Sequence, residues 1–251
     1  MRRLLLQFTL LFALPVVAMA QFEEREMRVP DEEDIIHQTV STSSPYYYTN
    51  LMLKYQNGNE PLTDLEYYYL YYGFLYQEDY QPFKENPALD RMLAVMAGIN
   101  PDQPTVGQLE ALIENGNTAL EVDPFNPKVL NMMAYAYGAL DDPKREQLYY
   151  NHLNGILSTI ESSGTGLKED ERWHVLMFSH AYDLLASKGY VYNESRIISR
   201  DAMFVPLARK QDRIKGFYFD YSRIYRNKPD DVTFKRDRTW QFNNLKPREY
   251  K

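Results

Sequence analysis

The spacing of apolar residues changes at Gly164-Thr165-Gly166, and no other feature of the chain limits its possible folds as much. Up to Ile160 they recur with a helical period near 3.6, and beyond Gly166 the period falls to 2. A helix buries a stripe and a strand buries alternate residues, so one polypeptide must hold a helical part and then a sheet-forming part. The class this implies is α+β: an N-terminal antiparallel α-helical layer followed by a small antiparallel β-sheet with one short helix.

Within the helical part, Thr63 with Glu66 three positions on is a capping-box pattern, and it opens a helix that carries Leu65, Tyr69, Tyr72 and Tyr76 on one stripe. Pro87 suits the first turn of a second helix with Leu89, Met92 and Met96, closing at Gly98. Thr105 caps a third, which runs through Leu109, Leu112 and Leu120. Asp123-Pro124-Phe125-Asn126-Pro127 is a turn into a fourth helix with Val129, Leu130, Met133 and Tyr137. Asp141-Asp142-Pro143 leads into a fifth, with Leu153, Ile156 and Leu157 facing inward. Such short turns make neighbouring helices antiparallel.

After Gly166, Trp173 to Phe178 reads as a buried strand, Ser179 to Ser187 as a short helix, and Arg196 to Leu207 as a bent strand. The clearest alternation sets Phe217, Phe219 and Tyr221 inward against Tyr218, Asp220 and Ser222 outward. Strands this close in sequence favour an antiparallel sheet.

The flanks differ from this body. Met1-Arg2-Arg3, the apolar run Leu4 to Val17 and then Ala18-Met19-Ala20 form the pattern of a cleaved signal over 1–20, so the expectation is an exported chain, periplasmic or secreted. The run is too short and too interrupted for a membrane span, and with no cysteine in the chain a lipid anchor is excluded. The same absence removes thiol catalysis, disulfides and cysteine-ligated zinc. Residues 21–44 are acidic, then Ser/Thr-rich, and read as a flexible lead-in. A single domain over 45–225 follows, helical over 45–162 and sheet-rich over 172–225, and 226–251 is a basic extension. From Arg209 onward there are thirteen Lys or Arg against six Asp or Glu, while the chain as a whole carries −7. That overall balance argues against nucleic acid as a partner.

Ala119-Leu120-Glu121-Val122-Asp123-Pro124 matches the end of one tetratricopeptide unit, and Leu130, Met133, Ala134 and Tyr137 match the first helix of the next. The stretch from Ala119 to about Ile160 therefore resembles a degenerate tetratricopeptide pair, although Glu146 stands where a small residue is usual. The resemblance implies a surface for a peptide or a partner protein. Ser44-Pro45-Tyr46-Tyr47-Tyr48, the Tyr-rich helix, His174-Val175, Tyr182-Asp183-Leu184-Leu185, Gly189-Tyr190 and Tyr218-Phe219-Asp220 resemble an uncharacterised secreted family of Bacteroides-type gut bacteria, a domain of unknown function. That family implies an exported address and no activity.

Few residues invite a chemical role. Ser163-Gly164-Thr165-Gly166 lacks the ending of a phosphate loop and is a helix exit. The four histidines show no metal spacing. No catalytic, cofactor or metal residue is assigned, and no cofactor is expected. The chain holds 22 tyrosines against two tryptophans, and those at 46–48 and 67–72 wrap more than one helical face. Rings left exposed there would stack on sugars, whereas buried ones would cement the helices to the sheet. The candidate ligand-binding residues are Tyr46, Tyr47, Tyr48, Tyr68, Tyr71 and His174. The leading expectation is a non-enzymatic envelope or secreted interaction module with a protein or peptide partner. The alternatives are a glycan-binding domain using exposed tyrosines, or a hydrolase pairing His174 with Asp201 or Asp183.

Overall fold

A computed structural model describes residues 27–227 apart from Arg200 and Asp212. The expected signal, and the basic extension beyond Asn227, lie outside the described residues. The chain folds as an α+β protein in which helices mostly precede the sheet.

Helix α1 (Glu32–Val40) falls inside the stretch expected to be a flexible lead-in, and the expectation is corrected here. Its acids are a helix start. The Asp31 side chain accepts from the Glu33 and Asp34 N–H groups, and the three acids of the first turn sit at the positive end of the helix dipole. Ile35 is 1% exposed. Tyr69 donates to Asp34 at 2.7 Å, and the Asp31 N–H donates to the Tyr68 hydroxyl at 3.1 Å. Gly73 lets the helix approach, because a Cβ there would overlap Thr39.

Next come α2 (Tyr48–Asn57) and α3 (Asp64–Gly73), the latter opened by the expected Thr63–Glu66 capping box and closed by a 3-10 turn over Phe74–Tyr76. The helices α4 (Pro87–Ala97), α5 (Val106–Val122), α6 (Pro127–Ala139) and α7 (Pro143–Ser162) then pack in sequence order. Each of α4, α6 and α7 begins with proline in its first turn behind an Asn or Asp cap.

The remaining elements are β1 (Trp173–His174), α8 (Phe178–Ser187), β2 (Arg196–Ile197), β3 (Ala202–Gln211), β4 (Ile214–Asp220) and α9 (Ser222–Arg226). The sheet order is β1-β4-β3-β2. The sheet is mixed, a correction to the antiparallel expectation: β1 runs parallel to β4, with Trp173 opposite Phe219 and His174 opposite Asp220. After β1 the chain leaves through α8 and returns along the antiparallel run β2-β3-β4, whose last strand settles beside the first. Period-2 alternation records which face a residue occupies and is silent on strand direction. The expected bent strand from Arg196 breaks into β2 and β3, where the Ile198 N–H bonds to the Ala202 carbonyl at 2.9 Å. Asp220 is buried, not outward, because Ser222 bonds its carboxylate and Arg172 lies 3.5 Å from it.

Two cores result. One joins α1–α3, α7, α8 and the sheet and is dense in tyrosine, with Tyr71 and Tyr72 fully buried. The other lies among α4, α5 and α6 and is built from Met92, Leu109, Leu112, Ala119, Val129 and Met133.

Candidate functional site

A cleft of about 750 Å³ opens between α6, α7 and α8. Its walls begin in the Asp123–Pro127 turn. Asp123 accepts from the Phe125 N–H at 3.3 Å and from Asn126 at 3.1 Å, and Asn126 in turn caps α6 through the Val129 N–H at 3.0 Å. His180 of α8 reaches the same Asp123 carboxylate at 3.0 Å through Nε2. Its Nδ1 lies 2.8 Å from the Tyr71 hydroxyl, which accepts from the Leu176 N–H at 3.1 Å. Asp123 only accepts, so Nε2 of His180 donates to it, and the Tyr71 hydroxyl and Nδ1 share a second hydrogen bond. This chain is buried throughout and fixes α8 against the first turn of α6.

Asp183 follows His180 by one helical turn, so the same anchor presents it to α6. Lys128 Nζ lies 3.3 Å from Asp183 Oδ1, while Oδ2 is buried without a hydrogen-bond partner among the described residues. Asp183 is 6% exposed. Burial holds its carboxyl above the usual carboxylate range, and Lys128 pulls in the other direction. Asn131 of α6 and Asn154 of α7 line the cleft, and Leu153, Leu157 and Ala186 give it apolar area. At one rim Glu161 pairs with Lys188 at 3.0 Å.

The residues expected to bind ligand fall elsewhere. Tyr48, Tyr68 and Tyr71 are buried, so the ring faces a sugar would stack on are covered. Tyr46 is half-buried and stacked on Tyr69 with centroids 4.4 Å apart, and Tyr47 is half-buried too. The expectation of exposed rings at 48, 68 and 71 is corrected: α3 is the central helix, packed by α1, α2 and α7, and a helix enclosed on all sides is apolar all round.

The His174 ring is held by Arg223 and not by Asp183, which pairs with Lys128. Arg223 donates to its Nδ1 at 2.8 Å, and the nearest carboxylate is Asp220 at 3.8 Å. Burial, with Arg223 and Arg172 beside it, pushes its pKa down to about 4 against the opposing pull of Asp220. Asp183 serves α6 instead, and Asp201 gives its backbone carbonyl to the Tyr221 N–H at 2.8 Å. The structure thus separates the acids that a His174-centred hydrolytic pair would have used. Among the described residues, no three His, Asp or Glu side chains come together to hold a metal ion. None of the described helices is long and apolar enough to cross a membrane.

Sequence reading reached Asp183 and missed the cleft around it. The available signal was on α7, where Asn154, Ser158 and Glu161 stand at i, i+4 and i+7 and form a polar stripe beside the apolar one.

The chain belongs to a family described as a domain of unknown function (DUF4919), whose model matches residues 33–229. No curated protein and no solved structure matches it.

Proposed function

We propose that this member of the family is an exported, non-enzymatic interaction module of a Bacteroides-type envelope, and that it seats a short peptide segment of a partner protein in the α6–α7–α8 cleft. The single observation that carries the reading is the cleft itself, with its size, its mixed polar and apolar walls and the buried Asp183 carboxylate in its lining. Concave sites of this size with a few converging polar groups are where ligands bind. Two of its three walls, α6 and α7, come from the stretch that resembles a tetratricopeptide pair, and the export signal pattern at 1–20 supports the address.

The test places a photo-crosslinking amino acid at Asn154 inside the cleft and, as a control, at the exposed Glu114 of α5, in the full-length protein in its native host. The expected result is a partner peptide mapped from position 154 and absent from 114. Its yield should fall in a Ser158→Trp variant, which fills the cleft. Equal yields from both positions would overturn the reading.

A further inference from the structure

The two oxygens of Asp183 keep unequal company. Oδ1 has Lys128, whose side chain arrives from an exposed position, and Oδ2 has no partner among the described residues although the residue is buried. Leaving a buried polar group unpaired costs about 1–3 kcal/mol, and more for a charged one, so native folds rarely do so without a use. Asp183 lines the cleft, but Oδ2 itself has no exposed area there, so an incoming ligand atom meets it on a turn of the carboxylate about Cβ–Cγ. An ionised carboxylate only accepts, so the atom that fits must be a donor.

Charge narrows the donor. A second buried carboxylate, Asp123, lies within electrostatic reach and opposes ionisation of Asp183. The groups facing this pair are Lys128 and the His180 ring. Across the cleft Glu161 and Lys188 satisfy one another, so Lys188 is not free to balance it. Among the described residues that line the cleft none is aromatic, so a sugar would gain hydrogen bonds there without a stacking face. The asparagines at 131 and 154 suit the amide groups of a peptide instead.

We infer that the cleft recognises a primary ammonium group, from a peptide amino terminus or a lysine side chain, through Asp183 Oδ2. This rests on the reading of the cleft as a peptide site and adds the group by which the peptide is held. The ammonium supplies a charge-assisted hydrogen bond to the unpaired oxygen.

The test uses the full-length protein and randomised tetrapeptide libraries in four arms: amino terminus free or acetylated, and lysine included or omitted. Binders are titrated calorimetrically. The expected result is binding from every arm that retains an ammonium, at least about tenfold tighter than from the acetylated, lysine-free arm. The two mixed arms tell terminus from side chain. In Asp183→Asn that tenfold preference disappears. Equal affinity from the acetylated, lysine-free arm would overturn the ammonium assignment and leave the peptide-binding reading standing. Failure of all four arms to bind would overturn both. The comparison among arms needs only the wild-type chain, so a variant that folds poorly would not rescue the inference.

Discussion

The two cores of this protein hold together by different means. In the tyrosine-rich core, hydroxyls bond across long stretches of chain: Tyr55 to the Pro124 carbonyl, Tyr71 to His180, Tyr72 to the His174 carbonyl and Tyr80 to the Leu176 carbonyl. Each spans more than sixty positions, the first three from a helix and Tyr80 from the loop that follows the 3-10 turn. In the α4–α6 core most contacts are between methionine, alanine and aliphatic side chains, which attract without direction, and its buried Tyr137 stacks on Tyr149. A phenol needs both its ring packed and its hydroxyl paired, so it admits few arrangements. A thioether chain accepts many. The tyrosine core therefore fixes which surfaces meet, including the α6–α8 contact that shapes the cleft, while the methionine core supplies burial that tolerates repacking.

The largest expected effect comes from Tyr71→Phe. It leaves the ring in place and strips partners from both the Leu176 N–H and His180 Nδ1. Two buried groups left unpaired should cost about 2–4 kcal/mol. Met133→Leu, equally buried in the other core, should cost less than about 1.5 kcal/mol. Urea unfolding of the two variants measures both, and near-equal losses would break the contrast between the cores.

Acid should distinguish the cores next. His152 stacks on Tyr55 with centroids 3.7 Å apart and lies 3.1 Å from the Tyr67 hydroxyl through Nδ1. Burial pushes its pKa down to about 4 from 6.5. Between those values the unfolded chain binds the proton and the folded one does not, so stability falls as the pH drops from 6.5. The fall ends near 4, below which both states are protonated. The contribution is at most about 3 kcal/mol. His174 acts in the same direction, and the raised Asp183 carboxyl acts in the opposite one by taking up a proton in the fold as acid is added. Melting temperatures from pH 7 to pH 4 should fall less steeply in His152→Gln than in the wild type. Hydrogen exchange should show the tyrosine core opening first, and an unchanged acid slope in the variant would count against His152 as its source.

The same contrast explains what could be read from the sequence. Helices α3 to α7 are legible because their period and caps are local: Thr63 with Glu66, Thr105 before α5, and the prolines at 87, 127 and 143. The burial of Tyr67 to Tyr72 is less so, since a tyrosine on every face is compatible with exposure until α1, α2 and α7 are known to surround it. Helix α1 hides in acidic composition, which resembles a flexible segment unless Asp31 is recognised as a cap and Ile35 as its anchor. Asp183 carries no local mark of its unpaired oxygen. That property arises from the meeting of α6 with α8, which are joined through Asp123 and His180, 57 positions apart.

The smallest expected effect is one of equality. Each core has a helix opened by a threonine capping box, at Thr63 before α3 and at Thr105 before α5, and both threonines are exposed. Thr63 accepts from the Glu66 N–H at 3.2 Å, and Thr105 from the Gln108 N–H at 3.3 Å. The partner side chains also have second attachments, Glu66 to Lys54 at 2.8 Å and Gln108 to the Gly98 carbonyl at 3.1 Å. Replacing either threonine by alanine should cost about 1 kcal/mol, because a cap is a local bond between a hydroxyl and one backbone donor. The two losses should agree to within about 0.5 kcal/mol in the same urea titration. A clearly larger loss at Thr63 would mean that the tyrosine network passes a local defect on to distant partners, making that core the more cooperative unit. A larger loss at Thr105 would place the weaker, earlier-opening unit among the methionines and reverse the order expected under acid.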